Sequence, residues 1–351
     1  MTRRVVGFLL VAALTAGGPV AFASDIGQQI ADQIDVVSYQ YYLDEELYTH
    51  YGHSRGISGA EHHLARDNIV EVFESFGLQV ELDEFEYWGQ PGWNVVATQV
   101  GTVYADAQYI LGAHYDSVDN PGADDDASGV AGLLEIARVL SQYETEYTIK
   151  YIAFDMEELG LIGSQLYVDN HLDDDIRGMI QSDMIAWDYG LYSAEILGRT
   201  ASLPLKNALA AAINEYGNGL NVLVSGPSDG SDHAPFEWAG FQACQLAERY
   251  RHSNPYYHTQ LDSVDTPAYI SYELAADCAR SLAGFLADYA GVIVGSCVGD
   301  VDGDGDTDQA DLGVLLADWG CTSYCLGDLD GDDDTDQSDL AILLADWGCT
   351  P

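Results

Sequence analysis

Residues 110–130 read Ile-Leu-Gly-Ala-His-Tyr-Asp-Ser-Val-Asp-Asn-Pro-Gly-Ala-Asp-Asp-Asp-Ala-Ser-Gly-Val. They set an imidazole, His114, two residues before a carboxylate, Asp116, and then place three carboxylates side by side, Asp124, Asp125 and Asp126. Imidazole nitrogen and carboxylate oxygen are ligands for zinc and its neighbours among the transition metals. Packing alone asks for no run of three aspartates between a strand and a helix. Their mutual repulsion has to be offset, and a metal ion does that well. Further acids follow at Asp155-Met156-Glu157-Glu158 and at Asp183.

The elements that must position these groups are legible around them. Tyr109 to Ala113 is a short apolar run suited to a buried strand. Pro121-Gly122 marks a turn, and a helix opens near Ser128 and runs to about Tyr143, with Asp126 or Ser128 as its N-cap. Thr148 to Phe154 is a buried strand that ends in the Glu157-Glu158 acids, and Met179 to Ser182 is a short one ending in Asp183. Upstream, residues 25–52 have helical spacing. Ser58 to Phe76 carries a helical stripe stopped by Gly77, and strands are predicted over Leu78 to Tyr87 and Trp93 to Val100. Downstream come a helix over 203–216, a strand over Phe241 to Leu246 and a long helix over Ala268 to Tyr289. The alternation predicts an α/β fold: a three-layer α/β/α sandwich on a mostly parallel mixed sheet. In such sheets sites form at the carboxyl ends of strands. His114, Glu157, Glu158 and Asp183 each fall just past the end of a predicted strand.

The chain has 351 residues, enough for one large domain and a small one. Lys and Arg number 12 against 58 Asp and Glu, a formal charge of −46. Nucleic acid and anionic membranes are poor partners for such a surface. Residues 299–351 hold 15 Asp and no Glu, Lys or Arg, so −31 remains on the rest. Met-Thr-Arg-Arg, an apolar stretch from Val5 to Leu14 and Ala21-Phe22-Ala23 read as a signal peptide over 1–23, implying a secreted or periplasmic protein. No other run is apolar enough for a membrane span. Six Cys in an exported chain fit disulfides. The division expected is 1–23 leader, 24–295 main domain and 296–351 acidic module.

His114-x-Asp116 followed by Gly-Ala-Asp-Asp-Asp-Ala-Ser-Gly resembles the signature of the co-catalytic dizinc aminopeptidases of peptidase family M28. Gln181-Ser-Asp183-Met184 is similar to the family's strand-ending Asp-Met, and Asn254-Pro-Tyr-Tyr-His258-Thr259 to its late Tyr-His-Thr. The resemblance covers about residues 54 to 290. It implies that His114 and Asp183 bind one zinc ion, that Glu158 and His258 bind the other, and that Asp125 bridges both. It makes Glu157 the general base for a metal-activated water, in an enzyme that removes N-terminal residues from peptides. Asp116 is expected behind His114, and Asp232 or Asp262 behind His258. His233 reads as structural, and His50, His53, His62, His63, His171 and His252 as surface. The same ligands serve carboxypeptidases and single-zinc glutaminyl cyclases, and a catalytically dead scaffold on this fold is a further alternative. An acidic-substrate pocket needs buried Arg or Lys; Arg249 and Arg251 are the nearby candidates. The overall charge disfavours anionic substrates, whereas an acidic cleft suits the cationic amino terminus of a peptide.

From Cys297 the sequence repeats after 28 residues. Asp300, Asp302, Asp304, Asp306, Asp308 and Asp311 match Asp328, Asp330, Asp332, Asp334, Asp336 and Asp339. Acids at loop positions 1, 3, 5, 9 and 12, with a backbone carbonyl at 7, are EF-hand calcium spacing. Each loop is followed by Leu-x-x-Leu-Leu-Ala-Asp-Trp-Gly-Cys, so a small core from Leu312, Leu315, Leu316, Trp319 and their mates is expected. Two loop-helix repeats resemble a dockerin module, which implies two Ca²⁺ and a cohesin-like docking partner. Asp333 stands where the first repeat has Gly305, and should strain its turn. The four cysteines of the module should bridge within it, in one of three pairings. That leaves Cys244 and Cys278 to pair with each other.

Overall fold

A computed structural model of the chain describes residues 25–293, 297–303, 305–322 and 325–349. The leader reading on 1–23 and the candidate ligand Asp304 lie outside the described residues. Helices α1 (Asp25–Ala31) and α2 (Val36–Tyr41) come first, and α2 runs on as a π-helical turn over Tyr42–Glu46. The order continues α3 (Ala60–Ser75), β1 (Gln79–Tyr87), β2 (Gln90–Gln99), β3 (Tyr104–His114), α4 (Ala127–Leu140) and β4 (Glu144–Thr145). Then come β5 (Tyr147–Phe154), α5 (Ile162–Asn170), β6 (Asp175–Ser182), β7 (Ser193–Leu197), α6 (Leu203–Tyr216) and β8 (Asn221–Val224). The main domain closes with α7 (His233–Ala239), β9 (Ala243–Glu248), α8 (Tyr272–Tyr289) and β10 (Val292–Ile293).

Eight strands form one mixed sheet in the order β1-β2-β5-β3-β6-β9-β7-β8. Its centre, β5-β3-β6-β9, is parallel. β1 and β2 join antiparallel on one side; β7 joins antiparallel to β9 on the other and carries β8 parallel to itself. Strand alternation splits the core in two, as period-two side chains must. Leu111, Ala113, Tyr151 and Ala153 face a large cluster with α1, α2, α3, α4, α6 and α8. Ile110, Ile152 and Phe154 face a smaller one with Tyr167 and Val168 of α5 and Phe236 of α7. This is the three-layer α/β sandwich expected. Each buried aliphatic or aromatic side chain contributes roughly 1.5–3 kcal/mol, and α4 is buried along almost its whole length. Such a core holds the strand ends rigidly, so the loops there can carry strained residues.

The acidic module is two short helices, α9 (Gln309–Ala317) and α10 (Gln337–Ala345), each behind an aspartate loop. The repeats clasp each other reciprocally. Asp346 after α10 accepts from Gly299 N at 2.7 Å and the Thr307 hydroxyl at 2.9 Å; Asp318 after α9 accepts from Gly327 N at 2.9 Å and the Thr335 hydroxyl at 3.2 Å. Disulfides join Cys297 to Cys349 and Cys321 to Cys325. Cys244 on β9 and Cys278 on α8 are buried free thiols, against the pairing expected of them. The expected core is also thinner. Leu315 and Leu343 are buried, whereas Leu316 (53%), Trp319 (44%), Leu344 (54%) and Trp347 (47%) are exposed. A two-helix unit has only one inward stripe per helix, and these residues fall outside it.

Candidate active site

Five parts of the chain converge at the carboxyl edge of the parallel strands. His114 ends β3, Glu157 and Glu158 follow β5, Asp183 follows β6, His258 lies in the loop after β9, and Asp125 precedes α4. The two oxygens of Asp125 face two imidazoles. His114 Nε2 is 3.3 Å from Oδ1, and His258 Nε2 is 3.0 Å from Oδ2. His258 Nε2 is also 3.2 Å from Glu158 Oε2, and His114 Nε2 is 3.9 Å from Asp183 Oδ1. Ligand-type atoms thus gather into two groups, one of His114, Asp126 and Asp183 and one of Asp125, Glu158 and His258. Asp125 reaches into both.

The backbone explains why these side chains point inward. Only Asp125 of the three aspartates faces the pocket. Asp126 caps α4 through Gly129 N at 2.9 Å and accepts also from His114 N and Met184 N, both at 3.1 Å. Asp124 accepts from Ala186 N and from the Asn254 amide, both at 2.9 Å. Backbone N–H groups and an amide therefore help to hold two of the three carboxylates. Gly129 is required at the start of α4: a Cβ there would lie 2.2 Å from Ser182 O, so any side chain would push the helix off β6. Met156 (φ 55°), Met184 (φ 58°) and His258 (φ 56°) take left-handed backbone directly beside or at the converging residues. Such conformations are tolerated where the surroundings over-determine them.

Neighbours behind the site differ in part from expectation. Asp116 sits behind His114 through its carbonyl, 3.2 Å from Nδ1, with its carboxylate at 3.5 Å. That carboxylate instead accepts from Glu157 N at 3.0 Å and Glu158 N at 3.1 Å, so it aims the acidic loop. Asp232 is not behind His258. It accepts from the Gln181 amide at 3.1 Å, while its neighbour Ser231 donates to Asp183 Oδ2. Asp262 is not behind His258 either; it accepts from Asp124 N at 2.7 Å, Asp125 N at 3.3 Å and the Tyr269 hydroxyl at 3.0 Å. His258 stacks on Tyr257, ring centres 3.8 Å apart. His62 is buried, not on the surface, with Nε2 2.7 Å from Asp155 Oδ1. His233 is buried against Ser228 O at 3.0 Å. Arg55 went unnoticed in the sequence. Fully buried, it donates to the carbonyls of Tyr115, Leu47, Pro121 and Gly122, and so fixes the loop that leads to Asp125.

The electrostatics call for positive charge. Asp125 has its proton affinity raised by burial, but the imidazoles of His114 and His258, one beside each carboxylate oxygen, outweigh this and hold it well below the usual carboxylate range. The same contacts, to Asp125 first and then Glu158, push His258 up to about 10. Burial pushes Asp183 up to about 6 and moves Glu157 well above the ordinary carboxylate value. Asp125 Oδ2 is a buried acceptor with no hydrogen bond although a histidine nitrogen lies 3.0 Å away. Two lone-pair donors that converge without hydrogen-bond geometry are what a cation between them satisfies. Nitrogen-and-oxygen donor sets of this kind fit zinc. The cavity in front has a volume of about 170 Å³ and is lined also by Met184, Gln245, Arg251, His252 and Tyr257.

The model of peptidase family M28 matches residues 94–286, and the chain belongs to that family. Leucine aminopeptidase 1 of Ajellomyces dermatitidis is 31% identical over 219 residues, covering 56% of this chain and 56% of that protein. The chain thus spans about half the length of the curated relatives it matches. The LapA aminopeptidase structure of Legionella pneumophila superposes with a TM-score of 0.69 at 22% identity, covering 78% of this chain and 77% of that one. A zinc aminopeptidase of Bacillus subtilis, 27% identical, superposes with a TM-score of 0.52 over 59% of this chain and 51% of its own.

Proposed function

We propose that the chain is an exported dizinc aminopeptidase. The observation that carries this reading is Asp125 set between His114 and His258, one imidazole to each carboxylate oxygen. His114 and Asp183 would hold one Zn²⁺, Glu158 and His258 the other, with Asp125 shared. Zinc held there supplies a Lewis acid that polarises the scissile carbonyl and acidifies water. Glu157 takes the proton of the attacking water on its carboxylate and delivers it to the leaving amine. Its raised proton affinity suits a group that must hold a proton between two steps. Asp116 keeps Glu157 and Glu158 in register through their N–H groups. The acidic surround attracts the free α-ammonium of a peptide substrate. Dialysis against dipicolinate is expected to abolish hydrolysis of an aminoacyl p-nitroanilide, and zinc to restore it. Hydrolysis that survives complete metal removal contradicts the reading.

The acidic tail we read as a calcium-dependent docking module. Oxygens of Asp300, Asp302 and Asp311 lie within 4.8 Å of one another, and buried Asp334 Oδ1 has no hydrogen-bond partner. Exposed Leu316, Trp319, Leu344 and Trp347 supply apolar surface for a cohesin-like partner. The two disulfides fit an oxidising compartment, in keeping with the leader over 1–23. Among the described residues no helix is long and apolar enough to cross a membrane.

A further inference from the structure

The pocket in front of the paired ligand groups has little of the carbon lining that an aliphatic side chain would need. Beyond the groups that face Asp125, it is built from Ser228, Gln245, Arg251 and His252, with Met184 and the Tyr257 ring as its apolar part. A buried pocket that selects an apolar side chain is lined mainly by apolar groups. This one offers donors.

Arg251 is the group that stands out. It opens a short 3₁₀ turn, Arg251–Ser253, behind Tyr250, whose left-handed backbone (φ 68°) turns the chain toward the pocket. The turn is anchored next door, where the Asn254 amide donates to Asp124 Oδ2 at 2.9 Å. The loop that carries His258 therefore also fixes Arg251. The Arg251 side chain is only 11% exposed. Its Nη1 lies 3.9 Å from Glu195 Oε2 on β7, beyond hydrogen-bond reach. No hydrogen bond to another described residue uses the guanidinium. Glu195 balances its charge without engaging its fork of donors, and a planar carboxylate is the group that matches that fork. Arg249, the other candidate in the sequence, is occupied differently, with its guanidinium 4.9 Å above the Tyr250 ring. Gln245 adds a second unmet polar group, since its buried Oε1 has no partner. A carboxamide can turn to present its NH₂ instead.

We propose that Arg251 is a specificity-determining residue, selecting peptides whose first residue carries a side-chain carboxylate, aspartyl or glutamyl. The proposal rests on the aminopeptidase reading above and names the substrate class of that same pocket. The surplus negative charge of the chain does not oppose this, because fields from distant surface charges are screened within about 10 Å at moderate salt, whereas Arg251 acts in contact. In the free enzyme the guanidinium is held in place by Glu195 and short of hydrogen bonds. An aliphatic first residue would leave it so, and such a site discriminates by leaving its polar groups unpaired.

The test is kcat/KM of the zinc-loaded full chain on glutamyl, glutaminyl and leucyl p-nitroanilides. Wild type is expected to prefer glutamyl over leucyl by about tenfold or more, with glutaminyl between them. R251M is expected to lower the glutamyl-to-leucyl ratio by about tenfold or more, chiefly through KM, and R251K to recover part of it. A wild-type preference for leucyl, or an unchanged ratio in R251M, overturns the proposal and leaves the aminopeptidase reading standing. No cleavage of any of the three by wild type overturns that reading itself. If R251M does not fold, competitive inhibition of wild type by free glutamate and leucine decides the point. Tighter inhibition by glutamate supports the proposal, and tighter inhibition by leucine overturns it.

Discussion

In the proposed mechanism Glu157 and Asp125 take different parts, and their environments are opposite. Both are shielded from water, yet two imidazoles hold Asp125 ionised while burial makes Glu157 a ready proton acceptor. Replacing Glu157 by Gln keeps its size and leaves the ligands in place, so metal content is expected to stay the same while kcat falls by about 10²–10⁴. Metal analysis beside steady-state kinetics checks this; unchanged kcat removes Glu157 from its role. At this scale much was legible. His114, Glu157, Glu158 and Asp183 announced themselves by chemistry placed just after apolar strands, Asp125 by a run of three aspartates, and His258 through a motif. Arg55 and His62 did not. Their partners are backbone groups or carboxylates far along the chain, and nothing in their immediate neighbours has a period or spacing that marks them. Asp232 was expected behind His258 and instead accepts from the Gln181 amide, because sequence order says nothing of which loop faces which.

Among elements, α7 shows how a helix can carry a titration. His233 opens it, and burial holds the imidazole down to about 4, against an ordinary value near 6.5. The unfolded chain gains a proton below pH 6.5 that the folded chain refuses until about pH 4. The stability this group contributes is therefore complete above pH 6.5 and drains away as pH falls toward 4. Between pH 7 and pH 5 the metal-free wild type should lose about 2 kcal/mol more than H233Q. Urea midpoints of the two proteins at both pH values measure it, and parallel losses refute it. In the tail, Gly305 and Asp333 occupy the same loop position, at φ 101° and 72°. Asp333 thus takes the strained turn expected of it. D333G is expected to raise the stability of the calcium-loaded module by about 1 kcal/mol, read as a higher unfolding temperature in calcium. Lower stability would show that the Asp333 carboxylate matters more than its backbone. The long elements were visible, β1 and α3 from their periodicity, β3 and β5 as continuous apolar runs, and α4, α6 and α8 as helical stretches. β7, β8, α5 and α7 were not, because segments of 5, 4, 9 and 7 residues are too short to show a period against mixed flanks.

At the scale of the molecule, a chain of net charge −46 surrounds its buried acids with N–H groups and, among the described residues, with the buried Arg55 guanidinium. That surface charge by itself disfavours anionic substrates; the acidic specificity proposed above rests instead on the guanidinium inside the pocket. Core burial on both sheet faces fixes the strand ends, and the strand ends fix Asp125 between its two imidazoles. The most direct test is to determine metal per chain in the purified protein and, on the same sample, to follow one peptide with a free and one with an acetylated amino terminus. The account predicts two zinc ions per chain and cleavage of the free peptide alone, one residue at a time from its amino end. A single zinc ion, or equal cleavage of the acetylated peptide, would contradict it.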